Sequence, residues 1–419
     1  MIISLTLLII IGVFFYGLYI SRKTRDYLNP IMSFAGPILV GFLFFIVYYR
    51  DDCSENTVLM YLCGIVFFVM GFVLHRTFSQ YSLEYTIMDD NKPKSIVDVS
   101  PLFKNLFKII TLLSVLLTLR YIYSIAFQGP FGSNVIRNIR YMSNYVTEKG
   151  FITEYSMVVA KVFLCILLYQ LFVQNYEGNK TWILITTAAA IVGIASTIAR
   201  TQILSLAISW YYLYSLKKIT NNKDTVKITW QTVKEKWYIV IAIAVIMYVF
   251  YYFAAQTSKL GSGGITSKEF FLNRYFGQEL VHFEENAKGY GGSGNGYYSL
   301  GWVTKILSAI GLVKSPGILE SIILRTHGAV CSFMRTPYID FGWVGICIIM
   351  FIMGFANSFI YKRVLKRMGY WCLFYTTCIY SNIMAFFDYQ YMMSGQMYFL
   401  VVLIFAGGLK LRLGKRRLT

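Results

Sequence analysis

Apolar runs of about 18 to 22 residues recur along the chain and constrain its fold more than any other feature. As an α-helix, a run of this length spans roughly 30 Å of hydrocarbon. A helix is expected for each run because backbone polar groups inside lipid must be satisfied internally. The chain is 57% hydrophobic and 14% charged, with a mean hydropathy of +0.55. This composition indicates an integral membrane protein rather than a soluble domain.

The apolar runs predict an all-α polytopic membrane protein with about eleven transmembrane helices. The first run lacks a small-residue cleavage site and is too long for a signal peptide, so we expect it to be retained. A bundle is predicted over residues 1–256, a long loop over 257–340, and a second bundle with a basic tail over 341–419. The predicted spans are 2–20, 31–49, 57–75, 106–126, 155–174, 181–198, 202–216, 237–256, 341–360, 370–387 and 394–410.

The distribution of positive charge predicts the orientation of these helices. With the N-terminus outside, 24 of the 39 Lys and Arg residues fall in cytoplasmic segments. Eight of the 13 that fall outside lie in the single long loop, which counts little towards orientation. The sequence therefore predicts an N-out, C-in topology with the long loop facing away from the cytoplasm. Topology also explains most of the net charge of +19, so nucleic acid is not an expected partner.

The long loop contains 13 of the 32 glycines and two of the three histidines. Glycine at this density indicates mobile turns. Between two glycine clusters, residues 267–285 are predicted to form an amphipathic interfacial helix. Residues 298–324 are predicted to form one or two short interfacial or re-entrant helices. One long outer loop on a polytopic protein favours chemistry on that face.

Three cations lie where charge is costly. Arg120 and Lys161 fall inside predicted spans, and Arg200 lies in a tight hairpin between two spans. An unpaired cation at depth costs on the order of 2–3 kcal/mol. Asp340 and Asp388 are the nearest acidic candidates, which leaves positive charge for an anionic headgroup to meet. Snorkelling to lipid phosphates and salt bridges within the bundle remain open alternatives.

Three side chains are candidates for acid–base chemistry. His327 can act as a base or an acid near neutral pH because it is a histidine, and Glu279 and Asp340 are the carboxylate alternatives. Asp340 has a structural alternative because it can cap a helix that starts at Phe341.

No metal site, cofactor motif or disulfide framework is predicted. His282 with its neighbouring glutamates lacks the i,i+4 spacing of a helical ligand pair. The acidic group formed by Asp51, Asp52 and Glu55 is a minor alternative. Nucleotide and dinucleotide fingerprints are missing from the sequence. Of the seven cysteines, five fall inside predicted spans and Cys53 and Cys331 lie outside, where a pairing between them is a minor alternative.

One segment resembles the loop-to-helix junction of a known family. The family is that of the Wzy-type bacterial oligosaccharide repeat-unit polymerases, which make O-antigen and capsule. The arginine hairpin at 199–201 and the Asn29-Pro30 step before the second span are also similar to the family's. The junction reads Ala329-Val330-Cys331-Ser332-Phe333, then Arg335, then Tyr338-Ile339-Asp340-Phe341-Gly342-Trp343-Val344-Gly345.

The resemblance implies a GT-C-like bundle in the bacterial plasma (inner) membrane, acting at its outer face. It implies an inverting, metal-independent glycosyltransferase that needs no cofactor. The donor would be the growing glycan on undecaprenyl pyrophosphate, and the acceptor a single lipid-linked repeat unit. Lipid-linked oligosaccharides and membrane lipid are the implied partners, and a chain-length regulator protein is a further candidate.

This reaction assigns roles to the candidate residues. His327, Glu279 or Asp340 would take the proton from the acceptor hydroxyl. Cations would stabilise the leaving pyrophosphate. The candidates for that role are Arg120, Lys161, Arg200, Arg274, Arg325 and Arg335.

Other functions are compatible with parts of this pattern. An O-antigen ligase shares the architecture and a loop histidine, but transfers the chain to the lipid A core. A lipid-linked oligosaccharide flippase or other transporter would place its charges in a central cavity. A purely structural membrane scaffold would leave the buried cations unexplained.

Overall fold

A computed structural model describes residues 1–81, 83, 97, 99–146, 150–176, 178–196, 200–221, 276–286, 288–313, 331–367, 369–391 and 394–406. Within these ranges every regular element is helical, apart from an isolated β-bridge between Ser332 and Asp388. The all-α prediction is confirmed for this part of the chain.

Thirteen α-helices are present in the described ranges. Three short 3₁₀-helices lie at Arg50–Asp52, Lys288–Tyr290 and Met384–Phe386, and a π-helix lies at Met142–Val146. The α-helices are α1 (Ile2–Thr24), α2 (Pro30–Tyr48), α3 (Glu55–Ser79), α4 (Pro101–Ala126), α5 (Val135–Tyr141), α6 (Phe151–Phe172), α7 (Lys180–Ala195), α8 (Arg200–Asn221), α9 (Glu279–Asn286), α10 (Gly301–Ala309), α11 (Arg335–Arg367), α12 (Tyr370–Ile383) and α13 (Ser394–Ala406).

Six of the described helices are long and apolar enough to cross a membrane, namely α1, α2, α3, α4, α6 and α11. The protein is therefore membrane-embedded, as its composition predicts. Helices also occupy the predicted spans at α7, α8, α12 and α13, but α7, α12 and α13 have only 16, 14 and 13 residues. The predicted span 237–256 lies outside the described residues. The count of eleven spans and the N-out orientation stay predictions.

The long loop differs in detail from its predicted helices. Of the predicted helix 267–285, residues 267–275 lie outside the described residues, and the remainder holds a turn at 276–277 and the helix α9 from Glu279. Of the region 298–324, only α10 is helical within the described residues. The predicted ninth span begins earlier than expected, since α11 starts at Arg335 and is interrupted at Gly342.

The chain divides into two compact units. Unit 1 comprises residues 1–95 and 269–397 and contains α1–α3, α9–α12 and the beginning of α13. Unit 2 comprises residues 96–268 and 398–419 and contains α4–α8 and the remainder of α13. The sequence-based boundaries at 256 and 340 follow the long loop instead and stay a prediction.

The centre of unit 1 is a close contact between α3 and α11. A Cβ at Gly71 of α3 would meet the carbonyl of Phe351, and a Cβ at Gly354 of α11 would meet the carbonyl of Phe68. The two backbones can therefore approach this closely only because both positions are glycine. Small residues at such crossings are the usual device for packing helices in membranes, where van der Waals contact replaces the hydrophobic drive between helices.

The aromatic side chain of Phe333, just before α11, packs against α2 and α3. Phe333 lies 5.3 Å from Tyr61 and 5.8 Å from Phe34, measured between ring centroids. A Cβ at Gly64 would collide with the Phe333 ring, so α3 provides the space for it through a second glycine. The approach to α11 is thus packed into the core of unit 1.

Asn29 explains why the Asn29-Pro30 step begins α2. Its side-chain oxygen accepts a hydrogen bond from Met32 N at 3.0 Å, which caps the helix, while Pro30 occupies the first helical position. Its amide nitrogen donates to Ser21 Oγ at 2.8 Å and to Gly17 O at 3.1 Å on α1. One fully buried side chain therefore both starts α2 and joins it to α1.

A second buried amide joins three helices of unit 1. Asn382 of α12 donates to Asn357 Oδ1 of α11 at 3.0 Å and to Ser33 Oγ of α2 at 3.1 Å. Asn357 in turn donates to Met353 O within its own helix. Interhelical hydrogen bonds of this kind fix the relative register of packed membrane helices.

Unit 2 is organised around α6, whose residues 162–169 are all buried. The short helix α5, which the sequence did not predict, covers the end of α4 in this unit. Asn138 of α5 donates to Ala126 O at 3.1 Å and to Gly132 O at 2.9 Å. Its side-chain oxygen accepts from Phe131 N at 2.9 Å. A single buried asparagine thus satisfies the backbone groups at this helix end.

We expect Gly354→Ala to destabilise the protein, because the added methyl group meets the Phe68 carbonyl of α3. Overpacking a close contact costs about 1–3 kcal/mol. The measurement is the thermal unfolding midpoint of the purified protein in detergent. Gly36→Ala on α2 is the matched control, since nothing lies within 4 Å of a Cβ there. Equal midpoints for the two variants would show that the α3–α11 approach is not tight.

Candidate functional site

The Asp340-Phe341-Gly342 motif is a break in the backbone of α11. Gly342 has φ 66° and ψ −154°, a conformation that is essentially restricted to glycine. Three residues later, Gly345 lies against the carbonyl of Pro337, where a Cβ would clash. Gly342 and Gly345 therefore both have a steric role. The break separates the short stretch 335–341 from the long helix that follows.

Asp340 binds the glycine-rich loop. Its side chain is 2% exposed and accepts hydrogen bonds from Tyr298 N at 3.2 Å and from Ser299 N. Beside it, Gly294 N donates to Ile339 O at 2.9 Å, and a Cβ at Gly294 would collide with the Asp340 carboxylate. From the sequence, Asp340 could also have been the residue that caps a helix starting at Phe341. The hydrogen bonds above go instead to loop amides about forty residues earlier in the chain.

Arg335 forms a buried ion pair with Asp388. The guanidinium nitrogen lies 2.8 Å from the carboxylate oxygen, and the two residues are 7% and 9% exposed. Gln390 also donates to Asp388, at 3.5 Å. The sequence placed Arg335 in an open loop as a cation for pyrophosphate. The structure places it in the first turn of α11 with its charge already matched, because a buried guanidinium requires an acidic partner.

Glu279, the first residue of α9, is a buried carboxylate of unit 1 that is only partly satisfied. It is fully buried, and its Oε2 accepts a hydrogen bond from Gly277 N at 2.6 Å. Its Oε1 has no hydrogen-bond partner among the described residues, and neither has the buried Tyr61 hydroxyl. Burial raises the pKa of Glu279 from 4.5 to about 7, against the opposing effect of backbone hydrogen bonds that include Gly277.

Two features of the neighbouring helices admit this carboxylate. A Cβ at Gly41 of α2 would lie 2.6 Å from Glu279 Oε1, so the glycine leaves room for this carboxylate. Gly277 takes φ 103° as the chain passes against Phe44 and Phe45 of α2. Tyr61 lies six residues after the start of α3, which is about 9 Å along the helix axis. Glu279 interacts electrostatically with Tyr61, and its carboxylate lies beside Gly41, seven residues before the end of α2.

Glu284, near the other end of α9, attaches that helix to the start of α3. Its carboxylate accepts hydrogen bonds from Ser54 Oγ at 2.8 Å, from Thr57 Oγ1 and from Lys288 Nζ. Lys288 also donates to Ser54 Oγ at 2.8 Å. Partial burial raises the pKa of Glu284, but the hydrogen bonds from Lys288, Thr57 and Ser54 outweigh it and lower the pKa to about 2.

The sequence did not identify this cluster. The only local signal is the i,i+4 spacing of Glu284 and Lys288, which favours an ion pair on a helix. The partners Ser54 and Thr57 are more than 220 residues away in the chain. A contact of that kind is set by tertiary packing.

The cations predicted inside spans belong to unit 2. Arg120 is exposed on α4 and has no hydrogen bond or ion pair within the described residues. Lys161 of α6 donates to Ser205 Oγ of α8 at 2.7 Å, and no acidic partner is found for it in the same ranges. Arg200 begins α8. The acids considered as partners for these cations are engaged within unit 1, Asp388 by Arg335 and Asp340 by loop amides.

Three candidate residues, Arg274, Arg325 and His327, lie outside the described residues. Within those that are described, no three His, Cys, Asp or Glu side chains come together as metal ligands. Asp51 and Asp52 lie in an exposed 3₁₀ turn. The minor alternative of a disulfide is not formed, since Cys53 and Cys331 are both free thiols.

No protein-family model, curated protein or solved structure matches the chain. The interpretation of the site therefore depends on its own residues and on the sequence resemblance of the α11 junction.

We expect Asp388→Asn to destabilise the protein strongly, because it leaves the Arg335 charge buried and unpaired. Breaking a buried pair from one side costs about 3–5 kcal/mol. The unfolding midpoint in detergent measures the effect, and the double variant Arg335→Met, Asp388→Leu should recover much of the loss. Glu55→Gln, which removes an exposed pair with the N-terminal amine at 3.9 Å, is the control. Equal unfolding midpoints for Asp388→Asn and Glu55→Gln would contradict a buried ion pair between Arg335 and Asp388.

Proposed function

We propose that the chain polymerises undecaprenyl-pyrophosphate-linked oligosaccharide repeat units into O-antigen or capsular polysaccharide at the outer face of the bacterial plasma membrane. The acceptor hydroxyl attacks the anomeric carbon of the donor, with inversion. A carbon–oxygen bond forms, the bond to the pyrophosphate oxygen breaks, and its electron pair leaves with undecaprenyl pyrophosphate. The proton of the acceptor hydroxyl passes to a base on the protein.

The observation that carries this proposal is the environment of Glu279. A general base works best when its pKa lies near the working pH, and burial brings the pKa of Glu279 to about 7. Its Oε1 is free to accept a proton, since the described residues offer it no hydrogen bond. The carboxylate is closed off in this structure. Catalytic hydrogen bonds often form only in the substrate complex, so this geometry is compatible with the role.

Asp340 and His327 are the other two candidates for the base. Both oxygens of Asp340 lie within hydrogen-bonding reach of the loop amides of Tyr298 and Ser299, which suits it to shaping the loop. His327 lies outside the described residues and stays a candidate. The structure thus supports Glu279 first among the carboxylates.

The leaving pyrophosphate requires cations. We assign this role to Arg120, Lys161, Arg200, Arg274 and Arg325. Lys161 supports the assignment, since its described hydrogen-bond partner is a serine hydroxyl rather than a carboxylate. Arg335, in contrast, has its charge matched within the protein. Its pairing with Asp388 makes it an organiser of the start of α11.

Deletion of the gene tests the proposal through the surface glycan. We expect lipid A cores that carry single repeat units, or in a capsule-forming cell the loss of polymer with lipid-linked single units left over. The measurement is gel electrophoresis of the extracted glycan. Accumulated lipid-linked polymer with unmodified core would identify a ligase instead. Repeat units trapped on the inner leaflet would identify a flippase.

Complementation with Glu279→Gln tests the base. We expect at least about a hundredfold loss of polymerisation rate, since a positioned base contributes about 10²–10⁴-fold. In the wild type the rate should rise with pH to a plateau above about 7, because the base must be deprotonated to accept a proton. The assay uses lipid-linked units extracted from the deletion strain.

Two further variants serve as references for this assay. Glu285→Gln, on the exposed side of α9, should retain the wild-type rate and pH profile. Arg200→Ala should lose activity at every pH, since it removes a cation from the leaving group. If Glu279→Gln polymerised at the wild-type rate, the base would instead be His327 or Asp340.

A further inference from the structure

Glu279 and Glu284 belong to one short helix. α9 has eight residues, with Glu279 at its first position and Glu284 at its sixth. A helix of this length is not stable by itself in water, so its position depends on what it contacts. The placement of the Glu279 carboxyl is therefore decided by the contacts that fix α9.

Two kinds of contact fix α9. Leu280 and Phe283 are fully buried, and the Phe283 ring lies edge-on to Tyr338 at 5.1 Å between centroids. Apolar burial is non-directional and tolerates small shifts of the helix. The carboxylate of Glu284 is directional, since it accepts from both hydroxyls of the Ser54 and Thr57 pair at the start of α3.

The location of Glu284 strengthens this attachment. Ser54 is the N-cap residue of the 25-residue helix α3, and its own backbone N–H donates to Glu284 Oε2 at 3.4 Å. A negative charge is favoured at a helix N-terminus. Lys288, one turn after Glu284, donates to the same carboxylate and to Ser54 Oγ. α9 is thus held to α3 by a network of charged and hydroxyl groups.

We propose that Glu284 is a positioning residue, which keeps Glu279 buried and correctly placed by fixing α9 to the start of α3. This inference deepens the proposed function, in which Glu279 is the base. Glu284 does not touch the reacting atoms. Its effect reaches them through the part of α9 between the two glutamates, which is about 1.4 helical turns.

The groups around Glu279 determine what should follow when the attachment is lost. α3 presents Tyr61, α2 presents the uncharged Gly41, and α9 itself carries His282 and Glu285. Around Glu284 lie Lys288 and the Cys53 thiol, and Glu55 nearby is 66% exposed. No cation is among the causes that set the pKa of Glu279, which burial dominates. Admission of water should therefore lower that pKa towards 4.5.

Infrared titration of the protonated carboxyl band tests the proposal without any substrate. The full-length chain is reconstituted in phosphatidylcholine vesicles, and the band of Glu279 is identified by its loss in Glu279→Gln. In the wild type we expect a midpoint of about 7. In Glu284→Gln the midpoint should fall towards 4.5, and in the matched control Glu285→Gln it should stay at the wild-type value.

A second variant and a kinetic readout complete the test. Thr57→Val keeps the shape of the side chain and removes one donor, so it should shift the midpoint in the same direction even if Glu284→Gln fails to fold. The acidic limb of the polymerisation profile should shift with the band. A midpoint that stays at about 7 in both variants overturns the positioning role. Continued polymerisation by Glu279→Gln overturns the base assignment, and the band shift then still reports on the attachment by itself.

Discussion

The close approach of α3 and α11 is the contact on which unit 1 depends. It is made possible by Gly71 and Gly354, each of which lies against a backbone carbonyl of the other helix. The start of α3 supplies Ser54, Thr57 and Tyr61, and the start of α11 supplies Arg335 and Asp340. Groups from distant parts of the sequence therefore meet within one unit, because one helix pair brings both sets together.

Four carboxylates of unit 1 lie in different environments, and these environments give chemically similar groups different roles. Asp340 is saturated by loop amides, Asp388 by a guanidinium, and Glu284 by hydroxyls and an ammonium group. Each of these stabilises a particular piece of the fold. Of these four, only Glu279 keeps an oxygen without a partner among the described residues. Under the proposed function, this difference separates the base from the acids that hold the site in place.

Much of the helical architecture could be predicted from the sequence, because in lipid an apolar run has few alternatives to a helix. The motif that contains Gly342 was visible in the sequence as a resemblance, but the backbone conformation that requires this glycine was not predicted. The ion pair of Arg335 was not predictable, because its partner lies 53 residues away in the chain. The attachment of Glu284 to Ser54 was missed for the same reason. Such pairings depend on which helices become neighbours, and hydropathy carries no information about that.

The free energy of ionising Glu279 bears on its proposed role as a base. Its pKa is about 7 in the folded protein and 4.5 in the exposed state, so the folded state binds its proton more tightly. The carboxylate therefore destabilises the fold progressively as the pH rises from about 4.5 to 7, by about 3 kcal/mol in total. A glutamine of the same size would avoid that cost and could still accept the hydrogen bond from Gly277. Under the proposed function, a proton acceptor is needed at this position, and a glutamine could not supply it.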